Sequence, residues 1–194
     1  MRISFKDAKR VLLENVPSAQ TRPQSINEWK GGFELPEVVV AYYEEVGPVD
    51  VRIESTGNPW FLPSLAGLWE FQGGYRFNGL SGERLDDWND DWLVIADEGA
   101  DPFILSRATG RVFSDLHGQG VWRPAPIFDD LAVMICSFAV LGGIAVREGE
   151  NLFDENSDIR TTFLDEGTEQ IARIVGTAAS GAEILKLLGW MDDQ

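Results

Sequence analysis

The stretch Trp92–Phe113, WLVIADEGADPFILSRATGRVF, carries the clearest strand signals in this chain of 194 residues. Its apolar runs, Leu93–Ile95, Phe103–Ser106 and Val112–Phe113, are separated by the turn segments ADEGAD and RATGR. In RATGR, Gly110 can take the positive φ that a tight hairpin turn requires. Short connections of this kind favour antiparallel pairing. The stretch therefore predicts consecutive antiparallel strands.

The apolar residues of the first two runs also predict how these strands are buried. Leu93 and Ile95 stand two positions apart in one run, and Phe103 and Leu105 do so in the next. Successive side chains of a strand point to opposite faces of its sheet, so each pair shares a face. We therefore expect a sheet with one buried face.

Helical patterns lie on both sides of the strands. Ser4 caps a first helix with Asp7 at the capping-box position, and Pro36 opens a second. The apolar run Leu131–Val146 has 16 residues, whereas a membrane span needs about 20, so we predict a buried helix beginning at Ile127. The other predicted elements are a strand at Val51–Ile53, a turn at NPWFLP, a short helix from Ser64, a strand at Tyr75–Phe77, a polar linker over Gly149–Asp158 and two amphipathic helices after it.

The order of these elements predicts an α+β fold: an antiparallel twisted sheet flanked by helices, with extra C-terminal helices. A length of 194 residues suits one domain with a small appendage. We therefore expect an α+β domain over residues 1–148. Residues 149–194 are expected to form a linker and a C-terminal helical extension packed on the same domain.

The chain is strongly acidic, with 32 Asp and Glu against 16 Lys and Arg and a formal net charge of −16. Phosphate backbones would be repelled, so direct nucleic-acid binding is not expected, whereas a basic protein would be attracted. The same charge also keeps many cytoplasmic proteins soluble. The N-terminal segment has no apolar signal core, so we expect a cytoplasmic protein without membrane contact.

Groups that usually perform catalysis or hold cofactors are scarce in the sequence. His117 is the single histidine and lies in DLHGQG, a predicted surface turn. Cys136 is the single cysteine and lies in the apolar helix, where a thiol behaves as a small hydrophobe. The sequence has neither a zinc-type Cys/His cluster nor a phosphate-binding glycine motif. We therefore expect no catalytic nucleophile, no cofactor and no dedicated metal site.

The carboxylates of the ADEGAD turn allow other interpretations. Asp97, Glu98 and Asp101 offer oxygen ligands for calcium, but the ligand spacing of the twelve-residue calcium loop is missing. A pair of carboxylates could also serve as the general acid and base of a hydrolase. That hypothesis predicts a deep pocket and an acid with a strongly raised pKa. Asp and Gly are also the residues that a tight turn requires in any case.

The turn is one end of a longer acidic stretch, residues 83–101, which also contains Trp88 and Trp92. Tryptophan is enriched in protein interfaces, and clustered acids attract a cationic partner. One interpretation is therefore an acidic-aromatic patch for a basic protein; the other is a solvated loop whose tryptophans fill the core. On the first interpretation the partner-binding residues are Asp86, Asp87, Trp88, Asp90, Asp91, Glu98 and Asp101.

Short motifs occur in a characteristic order between residues 33 and 144. They are Leu35-Pro36 at the entry to a helix, Trp92 before Ile95-Ala96 and Gly99, then Asp101, and the turn Thr109-Gly110-Arg111-Val112. Together they resemble the SUKH superfamily, which includes fungal cell-wall assembly regulators and bacterial immunity proteins. The chain departs from the family pattern at EEVGPVDV, where a glycine-rich turn is usual, and at Ala100, where glycine is common.

The resemblance implies a mixed α+β domain without catalysis. In bacterial members it implies binding and neutralising a toxin, which is often a nuclease. Nuclease domains tend to be basic because they hold phosphate, and a chain of charge −16 complements such a surface. We therefore expect a non-catalytic, immunity-type binding module that occludes a basic, nuclease-like toxin. The alternative is an intracellular regulatory, scaffold or small-molecule-sensing protein of the same fold.

Overall fold

The chain forms an α+β structure around a six-stranded antiparallel sheet in which each strand pairs with the next. The computed structural model describes residues 3–191; residues 1–2 and 192–194, the ends of the two predicted domains, lie outside the described residues. The predicted fold class, including the C-terminal helices, is confirmed. The strands are β1 (Val51–Ile53), β2 (Trp60–Leu62), β3 (Trp92–Glu98), β4 (Asp101–Ser106), β5 (Val112–Ser114) and β6 (Ala125–Phe128), and the helices are α1 (Phe5–Asn15), α2 (Glu37–Glu45), α3 (Leu131–Glu148), α4 (Thr161–Val175) and α5 (Ala178–Leu187).

Several local predictions are confirmed by this arrangement. The strands β3, β4 and β5 occupy the apolar runs of the stretch 92–113, and Gly110 in the turn after β4 has a φ of 74°. At the start of α1, the Ser4 hydroxyl accepts a hydrogen bond from the Asp7 N–H at 3.2 Å, and the Asp7 carboxylate accepts one from the Ser4 N–H. Helix α2 begins directly after Pro36.

Two strands lie where the sequence predicts other conformations. Strand β2 falls inside the predicted turn NPWFLP and pairs with both β1 and β3. Strand β6 includes Ile127, at which the sequence predicts the start of α3. Helix α3 begins instead at Leu131, because the Asp130 carboxylate caps it by accepting a hydrogen bond from the Val133 N–H at 2.9 Å.

The predicted strand at Tyr75–Phe77 is wrong. The backbone N–H groups of Tyr75 and Arg76 both donate to the Gln72 carbonyl, at 3.2 and 2.9 Å, so the chain turns here. Gly74 precedes the turn with a φ of 90°, a conformation that glycine adopts readily. The predicted helix from Ser64 is replaced by turns and a short 3-10 helix, Glu70–Gln72.

Helix α3 lies across one face of the sheet and forms the centre of the core. Phe138 stacks on Trp60 of β2, with ring centroids 4.5 Å apart and an interplanar angle of 7°. Gly142 permits a close approach to β1, because a Cβ there would lie 2.3 Å from the Ile53 side chain. The segment Leu131–Leu152 is long and apolar enough to cross a membrane, and 72% of its most apolar window is buried inside the protein.

The C-terminal helices α4 and α5 pack against α3. Gly167 of α4 lies between Leu141 of α3 and Leu185 of α5, since a Cβ at this position would meet them at 3.0 and 3.4 Å. The predicted linker begins with a 3-10 helix, Gly149–Leu152, and the side chain of Leu152 is buried in the main core. This segment is therefore an ordered connection between α3 and α4.

The opposite face of the sheet is covered as well, so the prediction of a single buried face is incomplete. Val94 and Ile104 are fully buried beneath Tyr75 and Trp88. The covering residues belong to the segment 63–91, which joins β2 to β3 and folds back over the sheet. The protein therefore has a second, smaller hydrophobic core on the side away from α3.

Gln72 joins this covering segment to the sheet. Its buried side chain accepts a hydrogen bond from the Val94 N–H and donates to the Val94 carbonyl, both at 2.9 Å, and it also donates to the Leu68 carbonyl. Strand β2 pairs with β3 only at Asp97 and Glu98. The Gln72 amide thus satisfies backbone groups of β3 that a longer neighbouring strand would otherwise satisfy.

A β-bulge in β3 determines where the acids of the hairpin point. Ile95 is an extra residue between two pairs of the β3–β4 ladder. Such an insertion interrupts the alternation of side chains along the strand. Asp97 consequently lies on the face of Val94, away from α3, whereas Glu98 lies on the α3 side.

The turn between β3 and β4 consists of Gly99 and Ala100, which have positive φ values of 60° and 79°. A left-handed conformation is strained for alanine but not for glycine. We therefore expect Ala100→Gly to raise the free energy of unfolding by about 1 kcal/mol, measured by urea denaturation. The control is Ala108→Gly in the next turn, where φ is not positive. An equal gain from both substitutions would contradict the assigned turn.

Candidate functional site

The acidic segment 83–91 is held in a defined conformation by arginine side chains. Arg84 donates hydrogen bonds to the backbone carbonyls of Arg76, Leu85 and Trp88. Its guanidinium also pairs with the Asp90 carboxylate at 2.8 Å. Because these bonds connect the side chain of Arg84 to carbonyls along the segment, they fix the path of the backbone.

Arg76 supports the segment from below, and its side chain is only 7% exposed. It donates to the carbonyls of Asp90 and Trp92, at 2.9 and 2.6 Å, and pairs with the Asp90 carboxylate at 3.3 Å. Its guanidinium lies 4.9 Å from the centre of the Phe33 ring, and that of Arg107 lies 3.9 Å from the same centre. Burial lowers the pKa of Arg76. Part of the negative charge of the segment is thus balanced inside the protein.

Asp90 and Asp91, two of the predicted binding residues, have structural partners. The Asp90 side chain is 82% exposed, but its carboxylate pairs with the two arginines described above. Asp91 accepts hydrogen bonds from the Ser106 hydroxyl at 2.6 Å and from the Ala108 N–H at 2.7 Å. Asp91 therefore ties the acidic segment to the turn after β4, which is a role in the fold.

Trp88 is not an exposed anchor, contrary to its place among the predicted binding residues. It is 2% exposed and belongs to the second core. Its ring lies 5.3 Å from those of both Trp92 and Trp122 and 5.7 Å from that of Tyr75, measured between centroids. Its indole N–H donates to the Trp92 carbonyl at 3.3 Å. The tryptophan is needed to fill the space between the covering segment and the sheet, so it offers no surface to a partner.

Asp86 and Asp87 are the predicted binding residues that remain available to a partner. Both are exposed, and among residues 3–191 neither carboxylate has an ion pair or a side-chain hydrogen bond. Asp87 borders a cavity of about 250 Å³ that is also lined by Leu116 and Val121. These two apolar side chains are 58% and 51% exposed. The surface here therefore combines uncompensated acids with exposed apolar groups.

Glu98 and Asp101 form a cross-strand pair at the end of the β3–β4 hairpin and line a cavity of about 570 Å³, the helix-side cavity. Glu98 accepts a hydrogen bond from the Trp60 indole N–H at 2.8 Å, and burial raises the pKa of Glu98. Asp101 accepts one from the His117 backbone N–H and contacts the His117 Nδ1, both at 2.7 Å. Each carboxylate of the pair thus has a fixed partner within the protein.

A second cavity, of about 550 Å³, lies on the opposite face of the same hairpin. We call it the aromatic cavity; its defining residues are Glu70, Phe71, Tyr75, Asp97, His117 and Trp122. Burial raises the pKa of Asp97 and also that of Tyr75, whose hydroxyl donates to the Ala100 carbonyl at 2.9 Å. Sequence reasoning missed this cavity, because its residues are far apart in the chain and only the bulge at Ile95 turns Asp97 toward it.

The described residues contain neither a cluster of metal ligands nor an accessible thiol. In the described part of the chain, no group of three or more His, Cys, Asp and Glu side chains could hold a metal ion. Cys136 is buried in α3, and burial raises the pKa of its thiol to about 12. The predicted position of Cys136 inside an apolar, buried helix is therefore confirmed.

Fold and surface together define an acidic α+β protein with uncompensated carboxylates on an ordered segment. The chain matches no protein-family model, and searches of curated proteins and of solved structures gave no significant match. The resemblance to the SUKH superfamily therefore rests on the motifs of the sequence.

Proposed function

We propose that this protein is a non-catalytic, cytoplasmic binding module that neutralises a basic, nuclease-like toxin by occluding its active surface. The observation that carries the proposal is the exposed pair Asp86 and Asp87. Among residues 3–191 these carboxylates have no partner, yet they lie on a segment that Arg76 and Arg84 hold in place. The net charge of −16 and the resemblance to immunity proteins support the same conclusion.

An ordered acidic segment has two physical advantages for binding a basic protein. Its charge attracts the partner over long distances and accelerates association. Its fixed backbone reduces the ordering cost that a flexible loop would incur when the complex forms. The exposed apolar side chains Leu116 and Val121, beside Asp87, add area that becomes buried in such a complex.

A carboxylate-dependent hydrolase is less well supported. The helix-side cavity and the raised pKa of Glu98 are features that such an enzyme would share. However, Glu98 is bonded to the Trp60 indole and Asp101 to His117, so both carboxylates are already engaged in hydrogen bonds within the fold. These contacts give both acids a place in the fold, and the binding role needs neither of them to react with a substrate.

The proposal is tested by replacing the exposed acids without changing their size. The double variant Asp86→Asn/Asp87→Asn is expected to bind its protein partner about tenfold more weakly, because it removes two carboxylates that face the partner. Tagged wild-type and variant proteins are used to capture the partner from the native cells, and retention is quantified by mass spectrometry. The captured protein is expected to be basic and to inhibit growth unless it is co-expressed with the wild-type chain.

The matched control is Asp158→Asn/Asp165→Asn, which removes the same charge from exposed positions in the C-terminal part of the chain. This variant should retain the partner like the wild type. Equal retention by both double variants would show that the acidic segment is not the binding surface. Capture of only acidic or neutral proteins by the wild type would contradict the electrostatic basis of the proposal.

A further inference from the structure

The aromatic cavity has a composition that suits a cation. Its walls include the rings of Phe71, Tyr75 and Trp122, and its charged residues include the carboxylates Glu70 and Asp97. Aromatic faces carry a negative electrostatic potential that attracts ammonium and guanidinium groups. A cavity that combines several rings with carboxylates therefore favours an organic cation over a neutral or anionic group.

The rings of the cavity are held by packing, so the site is formed before a ligand enters. Tyr75 and Trp122 have centroids 5.9 Å apart and planes at 55°, so their faces are inclined to each other. Behind them, Trp88 meets Trp122 edge-on at 5.3 Å. Phe71 is held in the same way by Phe61 at 5.5 Å. Rings fixed in this manner lose little conformational freedom on binding.

Asp97 supplies the specific electrostatic element. The bulge at Ile95 directs it into the cavity, where the carboxylate is partly buried and therefore poorly solvated, and this burial raises the pKa of Asp97. Arg52 on β1 is the cation that acts on Asp97, but its guanidinium lies over the Phe61 ring at 5.0 Å. A cation inside the cavity would offset the desolvation of the carboxylate directly.

We propose that the aromatic cavity binds the ammonium or guanidinium head of a lysine or arginine side chain projecting from the basic partner. This inference rests on the proposed function, since it names where such a partner inserts a side chain. The cavity lies near the exposed acids: the neighbouring cavity beside Asp87 shares Gly74, Gly118 and Trp122 with it. A partner attracted by the acidic segment is thus placed to insert a basic side chain between the rings.

The experiment uses capped amino acids as probes of the whole protein. Nα-acetyl-arginine amide and Nα-acetyl-lysine amide are titrated, and the indole N–H signals are followed by NMR, with Trp122→Phe identifying the Trp122 signal. Nα-acetyl-citrulline amide, which has the shape of the arginine probe without its charge, is the matched control. Saturable shifts of the Trp122 signal are expected with the cationic probes. The citrulline probe is expected to bind the wild type at least about tenfold more weakly than the arginine probe, and the cationic probes are expected to bind Asp97→Asn more weakly by the same factor.

The result that would overturn the inference is the absence of a saturable shift at Trp122, or equal binding of the arginine and citrulline probes by the wild type. The comparison of these probes needs no variant, so it stands even where a substitution disturbs folding. If partner capture depends on Asp86 and Asp87 but the probes do not bind, the inference that the cavity binds a basic side chain is refuted and the proposed function is left intact. If the probes bind but the wild type and Asp86→Asn/Asp87→Asn retain the partner equally, the proposed function is refuted instead.

Discussion

Replacing Trp88 by alanine is expected to lower the free energy of unfolding by about 3–5 kcal/mol, the usual cost of removing a large buried aromatic side chain. The indole is 2% exposed and contacts the rings of Tyr75, Trp92 and Trp122. Its loss would leave a cavity between the covering segment and the sheet, because these rings are held by other contacts and can close the space only in part. Urea denaturation, followed by circular dichroism, measures the change.

The control for this prediction is Leu80→Ala. Leu80 lies in the same covering segment but is fully exposed, at 101% of its reference area, so its truncation should change the free energy of unfolding by no more than about 0.5 kcal/mol. A similarly small effect for Trp88→Ala would mean that Trp88 is not buried. In that case Trp88 would again be a candidate for contact with a partner at the surface.

Gln72→Leu is expected to lower the free energy of unfolding by about 2–4 kcal/mol. Leucine has a similar size and keeps the site filled, but it cannot bond to the backbone of Val94. The Val94 N–H and carbonyl are each 2.9 Å from a polar atom of Gln72 and would lose these partners while buried. The cost arises from leaving a buried donor and a buried acceptor unsatisfied, and urea denaturation again measures it.

Gln119→Leu makes the same chemical change at an exposed position in the loop after His117. Water can satisfy the backbone there, so this control should lie within about 0.5 kcal/mol of the wild type. If Gln72→Leu changed the free energy of unfolding as little as the control, the Gln72 amide would not be satisfying the backbone groups of Val94. The covering segment would then have to be held by its aromatic contacts alone.

The sequence is most informative where local patterns alone determine the structure. The hairpin strands β3, β4 and β5 follow from short apolar runs separated by turn residues, and the start of α1 follows from Ser4 and Asp7. These features depend on neighbours only a few positions away in the chain. The order of the strands in the sheet can be predicted almost as easily, because each strand pairs with the next one in the chain.

The site could not be predicted to the same extent, because it depends on contacts between distant segments. The bulge at Ile95 decides which of the two cavities Asp97 faces and which Glu98 faces, and no local pattern marks that position. Trp88 looks the same in sequence whether it is exposed or covered by the sheet. Trp88 is buried because the segment 63–91 folds back over the sheet, where Gln72 bonds to Val94 and Tyr75 packs beside Trp88.

The acidic composition also conceals which charges are available. Asp90 and Asp91 stand beside Asp86 and Asp87 in the sequence, but they are bonded to arginines or to the turn after β4. The two arginines that pair with the Asp90 carboxylate, Arg76 and Arg84, lie 14 and 6 residues away from it in the chain. Counting acids therefore overestimates the binding surface, and only the contacts within residues 3–191 show that Asp86 and Asp87 remain uncompensated there.

The rate of association between the wild-type protein and its captured partner, measured by stopped-flow fluorescence at increasing salt, tests the central claim most directly. Electrostatic attraction by the acidic segment predicts a rate that falls steeply with ionic strength in the wild type and in Asp158→Asn/Asp165→Asn. It predicts a slower, less salt-dependent rate in Asp86→Asn/Asp87→Asn. The same rate and the same salt dependence in all three proteins would contradict the claim that this segment recognises a basic partner.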